Sequence, residues 1–312
     1  MVISMDTLAI QIFMFFIIAA VGFFCRRINL MTEQAHAGAS TILINIAMPA
    51  QILMGARTRL TPDTMQTAIW VFVITAGTYG IYIGIAHLAA RVFHLKDVKR
   101  IIFISCIYCK NVGFLGYPLC NALFGSEGLF YAAIAGIGFT LVTWTYGVIL
   151  FAGKGSANAK TLIKTPATVV TIFLLILFFT GLPLPEMCYD VFDSVGAIAA
   201  PLSMLVIGAS LARVSLKKIF SDKSIYLISL FTLVVAPLAV ILLMKLLHAP
   251  QLAASVCMML TVLPPAATVT VLSEQYKGDG SYASCATIQA MFLSLATMPL
   301  MLMLADWFLF QI

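Results

Sequence analysis

Positive charge falls on every second connector of this chain. Ten apolar stretches, at about residues 7–24, 36–54, 66–90, 101–124, 129–152, 166–180, 191–211, 225–247, 252–274 and 285–308, are separated by short connectors. The odd connectors carry Arg26 and Arg27; Arg91, Lys96, Lys99 and Arg100; Lys154, Lys160 and Lys164; Arg213, Lys217, Lys218 and Lys223; and Lys277. The even connectors carry only Arg57 and Arg59. Cytoplasmic loops retain Lys and Arg, so the alternation predicts ten membrane spans with both termini on the external side. Ten is five plus five. An odd-numbered half repeated in tandem comes out upside down, and inverted repeats are a mark of secondary transporters.

Composition agrees with that reading. Of 312 residues, 62% are hydrophobic and 10% charged, and the mean hydropathy is +1.05. A span needs roughly 20 apolar residues, so ten spans leave only short connectors and no separate soluble domain. The net charge of +6 is explained by cytoplasmic loops facing anionic lipid, and no nucleic-acid partner is expected. A signal peptide places positive charge before its apolar core. Here Asp6 precedes the core and Arg26 and Arg27 follow it, which predicts a retained first span. Most of the seven cysteines lie within apolar stretches, so neither a disulfide framework nor a metal site is expected, the Cys106–Cys109 CxxC included. No cofactor is expected.

The second stretch of each half carries a related motif. Ile46-Ala-Met-Pro49 followed by Met54-Gly-Ala56 matches Ile198-Ala-Ala-Pro201 followed by Ile207-Gly-Ala209. The expected units are residues 1–152, a cytoplasmic linker 153–165 and residues 166–312. Pro49, with Asn45 whose carbonyl it strips of a helical donor, and Pro201 are candidate helix breaks or hinges.

The fourth stretch of each half is poor helix. Stretch four reads Cys109-Lys-Asn-Val-Gly-Phe-Leu-Gly-Tyr-Pro-Leu119, with Gly113, Gly116 and Pro118 close together. Stretch nine holds Pro264 and Pro265, then Thr268 and Thr270. At about 1.5 Å per residue both interruptions fall near mid-membrane. Interrupted helices in corresponding positions are the best sequence pointer to a transporter's binding site. A broken helix offers a new N-terminus with free N–H groups and about half a positive charge. Half-helices are expected to start near Pro118 and Pro265, and two such ends on one cavity suit an anion.

Lys110 is the one charged residue expected deep in the membrane. Burying it costs about 2.5–3.5 kcal/mol on insertion scales, and its partner is expected to be substrate or backbone carbonyls. Asn111 can donate to a carboxylate, and Thr268 and Thr270 can add hydroxyl donors. The candidate substrate-binding set is therefore Asn111, Lys110, Gly113, Gly116, Pro118, Pro264, Pro265, Thr268 and Thr270. Gly77, Gly80 and Gly84 are expected to let helices pack closely.

Asn111-Val-Gly-Phe-Leu-Gly-Tyr-Pro118, the Pro49 segment and Leu263-Pro-Pro-Ala…Tyr276, in this order, resemble the auxin efflux carrier family. The resemblance is to its bacterial branch of malonate or organic-acid permeases, and covers the whole chain. It implies an all-α integral membrane fold like that of sodium/proton antiporters and bile-acid symporters. That fold has ten transmembrane helices in two inverted five-helix repeats, with broken, crossing helices four and nine. It also implies a scaffold from spans 1–2 and 6–7, a transport domain from spans 3–5 and 8–10, and carboxylate recognition at Asn111. Plant members have a long hydrophilic central loop and a second proline where Val269 stands, so auxin is not the expected substrate.

The expected function is a secondary transporter of small mono- or dicarboxylates, such as malonate, in a bacterial inner membrane, working by elevator-like alternating access. A sodium- or proton-coupled symporter of the bile-acid type is the alternative. An enzyme is not expected: it would need convergent His, Asp, Glu, Cys or Ser groups at one depth, whereas no HExxH appears and no acid stands near mid-membrane. The partners are a small carboxylate and the bilayer, and a homodimer is compatible with the sequence.

Overall fold

The computed structural model describes residues 5–153, 165–212, 219–220, 222–276 and 278–311. Most of the expected linker, with Lys154, Lys160 and Lys164, lies outside them, as do Arg213, Lys217, Lys218 and Lys277. The described residues are helical throughout, with no strand beyond a single isolated bridge between Lys110 and Pro265. Every apolar stretch is helical over most of its length. In lipid a segment must satisfy its own backbone polar groups, and helices do so locally.

Seven helical stretches among the described residues are long and apolar enough to cross a bilayer: Ile10–Arg27, Glu33–Arg57, Pro62–Val92, Val112–Ala152, Glu186–Leu211, Lys223–Leu246 and Gly280–Phe310. Pro166–Thr180 and Gln251–Thr261 are apolar but shorter. Val112–Ala152 is not one rod, because Gly125 sits at φ 64°, ψ −155° and splits it. Only glycine adopts that backbone freely, which is why one long helical run serves two apolar stretches. Outward-facing side chains are large and apolar: Phe13, Phe24, Leu88 and Leu246 are each more than 60% exposed. Such a surface suits lipid.

Helix ends are written in the sequence. Thr61 and Thr64 form a reciprocal capping box before Pro62–Val92. Thr165 caps Pro166–Thr180, which Gly181 closes in the left-handed conformation at φ 64°. Asp222 and Asp279 cap the helices from Lys223 and Gly280.

Two groups of helices pack among themselves. In the first, Met5–Arg27 lies on Ala199–Leu211, and Met48–Met54 lies on both Pro166–Thr180 and Glu186–Gly196. A Cβ on Gly208 would fall 1.7 Å from the Ala19 carbonyl oxygen, and one on Gly22 2.2 Å from that of Leu205. In the second, Pro62–Val92 packs on Asp97–Tyr108, Tyr117–Val142, Ala236–Leu246 and Gln251–Thr261, while Gly280–Asp306 packs on Lys223–Leu230 and Thr268–Gln275.

The glycines of Pro62–Val92 only partly follow expectation. A Cβ on Gly77 would meet Leu243 Cδ2 at 2.9 Å, but Gly80 and Gly84 have nothing within 4 Å. Those two do not mediate a close approach.

Candidate functional site

Both suspect helices are open in the middle. Asp97–Tyr108 ends before Cys109, and helix resumes at Val112. Gln251–Thr261 ends before Val262, and helix resumes at Thr268. The opened segments lie antiparallel and pair through their main chains. Asn111 N–H donates to the Pro264 carbonyl at 2.9 Å, and Ala266 N–H donates to the Cys109 carbonyl at 2.7 Å. Each break thus satisfies the other's backbone, the condition for non-helical chain at membrane depth.

Asn111 shapes the restart of the first helix. Its Oδ1 accepts from Phe114 N–H at 3.3 Å, and its carbonyl takes both Leu115 and Gly116 N–H, at 3.2 and 3.1 Å. The turn Val112–Gly116 runs in π register, with Tyr117 N–H on the Val112 carbonyl. This moves the first half-helix start from the expected Pro118 to Val112, while the second starts at Thr268, near Pro265 as expected. Pro118 is buried in the first turn of Tyr117–Val142, six residues after the restart. The wider π register absorbs its missing N–H without opening the helix. In the other segment Pro264 and Pro265 belong to the extended stretch, and Thr268 opens the new helix.

Gly116 permits the crossing. A Cβ there would meet Leu260 Cδ2 at 2.8 Å and Leu263 Cδ1 at 3.0 Å, both on the opposing segment. A Cβ on Gly113 would meet Met48 Cε at 2.6 Å, on the residue before Pro49. The structure thus brings together Asn111, Lys110, Gly113, Gly116, Pro264 and Pro265, with Thr268 at the next helix start and Thr270 one step on; both threonines are half-buried. Asn45 lies apart: it is exposed, and its Nδ2 donates to the Thr41 carbonyl at 2.9 Å. Pro49 is buried and follows the π turn Leu43–Ala47, where Met48 N–H reaches the Leu43 carbonyl. Pro201 is exposed in the first turn of Ala199–Leu211, just past the helix interruption at 197–198.

Lys110 is enclosed, with 2% of its surface exposed. Of its two expected kinds of partner, the structure supplies a backbone carbonyl. Nζ donates to the Thr232 carbonyl at 2.7 Å and stands 5.3 Å from the centre of the Tyr82 ring. A small cavity of about 30 Å³ beside it, lined in part by Thr75, Thr78, Tyr79 and Tyr82, has room for a water or two.

Thr232 and Tyr82 are not among the residues that the sequence singles out. Pro237 was the available signal. In the π turn Phe231–Val235, Ala236 N–H reaches the Phe231 carbonyl. Residue 237 would next serve Thr232, but proline has no N–H, so that carbonyl is open to Lys110. Tyr82 OH donates to the Thr261 carbonyl at 3.4 Å, at the C-terminal end of Gln251–Thr261.

An apolar multi-pass bundle whose two interrupted helices exchange hydrogen bonds at their openings has the build of a membrane transport protein. The chain belongs to the membrane transport protein family, the auxin efflux carrier-like family that stretch four resembles, whose model matches residues 7–162 and 156–302. An uncharacterized transporter of Methanocaldococcus jannaschii is 27% identical over 276 residues, covering 84% of this chain and 87% of the relative. One of Methanothermobacter thermautotrophicus is 27% identical over 289 residues, covering 91% and 94%. The uncharacterized transporter YfdV of Escherichia coli K12 is 22% identical over 276 residues, covering 83% and 85%.

Proposed function

We propose that this multi-pass membrane protein carries small organic anions, mono- or dicarboxylates such as malonate, by elevator-like alternating access. The observation that carries the reading is the main-chain pairing of residues 109–111 with 264–266. It sets two helix N-termini, at Val112 and Thr268, beside one crossing. The Val112, Phe114 and Leu115 N–H groups are bonded within the chain, so it is the positive ends of the two helices that suit a carboxylate. Asn111 Oδ1 is engaged with Phe114 N–H, so Nδ2 is the atom that meets the anion. Thr268, at the helix start, adds a hydroxyl from the opposing segment; Thr270, two residues on, lies about 200° round the same helix and faces away from it. Gly113, Gly116 and the three prolines shape the backbone rather than bond the solute.

In this reading the chain is two inverted five-helix halves in a bacterial inner membrane. The helix group around Met5–Arg27 and Ala199–Leu211 is the scaffold, and the group around Pro62–Val92 moves with the crossing. Pro49 and Pro201 mark bends in the scaffold where the crossing slides past. For export, the membrane potential supplies about 2.3 kcal/mol per charge per 100 mV, so no coupling ion is required.

The test is counterflow in proteoliposomes with malonate, other dicarboxylates, monocarboxylates and indole acids, varying sodium, pH and voltage separately. Carboxylate counterflow independent of sodium is the expected result. Asn111→Ala should lower it for every carboxylate at least tenfold while leaving the protein monodisperse; full activity would remove Asn111 from the site. Strict dependence on a sodium or proton gradient would replace this reading with a coupled symporter.

A further inference from the structure

An ammonium at mid-membrane is costly, and three features of its surroundings favour it. The Thr232 carbonyl accepts from it at 2.7 Å, and the Tyr82 ring face lies 5.3 Å away. Two helices, Asp97–Tyr108 and Gln251–Thr261, also end at the crossing, and helix C-termini carry partial negative charge. No carboxylate pairs with Lys110 among the described residues. The only other buried charged side chain outside histidine among them is Asp306, at the end of Gly280–Asp306.

The tether is internal to one helix group. Lys110 is in the first break, Thr232 in the π turn of the eighth stretch, Tyr82 in Pro62–Val92. Thr232 Oγ1 also donates back to the Cys106 carbonyl at 3.2 Å, closing the link from the other side. An ammonium bonded to the Thr232 carbonyl and facing the Tyr82 ring, both on helices that pack together, moves with them.

We infer that Lys110 is a built-in counter-charge, carried across the membrane with the anion and taking the electrostatic place of a co-transported cation. The inference rests on the carrier reading above. Lys110 does not contact the solute; it sets the net charge of the translocating unit. That unit is neutral with a monoanion and −1 with a dianion, whereas without Lys110 the two are −1 and −2.

Self-exchange under a voltage clamp reads this charge. Both directions of translocation must occur in each cycle, so voltage of either sign slows the cycle if the loaded unit carries charge. For a symmetric barrier spanning the whole field, 100 mV slows exchange about threefold for one charge and about 20-fold for two. The experiment uses the full chain in proteoliposomes at pH 7.5, with a potassium–valinomycin clamp, and pyruvate (monoanion) and malonate (dianion) as probes. The parent should show flat pyruvate exchange and about threefold slowing of malonate at 100 mV. Lys110→Gln should slow pyruvate about threefold and malonate about 20-fold, and Lys110→Arg should follow the parent.

Identical voltage curves for the parent and Lys110→Gln would overturn the inference. If Lys110→Gln does not fold, the parent's own slopes decide: threefold for pyruvate or 20-fold for malonate would overturn it. Absence of any exchange in the parent would remove the carrier reading, and this inference with it, whereas exchange with the wrong slopes removes only the counter-charge.

Discussion

Gly208 leaves no room for a methyl group. Its Cβ would lie 1.7 Å from the Ala19 carbonyl oxygen and 2.7 Å from the carbonyl carbon, backbone atoms that cannot rotate away. Gly208→Ala therefore has to part Met5–Arg27 from Ala199–Leu211 and should cost about 1–3 kcal/mol. Gly80 has open space around it, so Gly80→Ala should be neutral or slightly stabilising, since alanine is the better helix former. Thermal unfolding of the purified protein in detergent checks both; a Gly208→Ala protein as stable as the parent would show that the helices do not pack this closely. The two glycines look alike in sequence. Gly208 lies in the Ile207-Gly-Ala209 motif and Gly80 in a spaced glycine row, and only the partner helix distinguishes them. Proline was similarly half-informative. Pro118 announced trouble in the fourth stretch, but the opening lies at 109–111, because a π turn accommodates proline while Asn111 supplies its own cap.

At the scale of elements, the two interruptions were readable because Gly and Pro cluster where a span should be uniform. Their pairing was not readable, since hydrogen bonds from Asn111 to Pro264 and from Ala266 to Cys109 join residues about 150 apart. The same holds for a clasp at one end of the second helix group. Asp222 Oδ1 caps Lys223–Leu230 by accepting from Ser224 N–H at 2.8 Å and from Ser224 Oγ at 2.7 Å. Lys99 Nζ stands 3.7 Å from Asp222 Oδ2 and 5.1 Å from the centre of the Tyr282 ring, and the Tyr282 and Ser224 hydroxyls are 2.8 Å apart. The hydrogen bonds from Ser224, with Lys99 adding to them, hold the Asp222 carboxyl below the ordinary carboxylate range. A depressed folded-state value means that the stabilisation is full above the unfolded value near 4 and is lost as pH falls through the folded one. Asp222→Ala should cost about 1 kcal/mol at neutral pH through the lost cap, and the difference from the parent should shrink as pH drops below 4. Unfolding midpoints at pH 7 and pH 3.5 measure it; a difference that does not narrow would deny the carboxylate this role.

Across the whole molecule, charge pattern and packing point to the same sidedness by independent routes. Lys99, Asp222 and Tyr282 flank the third, seventh and ninth connectors, all odd, and they meet at one clasp. Arg57, in the second connector, donates to Asp193 at 2.9 Å, reaches Glu186 at 3.6 Å and lies over the Tyr189 ring at 4.7 Å, so the second and sixth connectors, both even, meet at another. Odd ends gather with odd and even with even, as a chain crossing back and forth requires. If Lys and Arg are retained on the cytoplasmic side, the Lys99 clasp is expected inside and the Arg57 clasp outside. Single cysteines test this in a background lacking the partly exposed Cys25 and Cys188. Leu60→Cys, exposed in the second connector, should react with a membrane-impermeant maleimide on intact cells. Lys96→Cys, exposed in the third, should react only after permeabilisation. The opposite pattern would turn the molecule over and put the Arg57 clasp on the cytoplasmic side; labelling of both on intact cells would mean that the two clasps share one side, which no inverted five-plus-five arrangement allows.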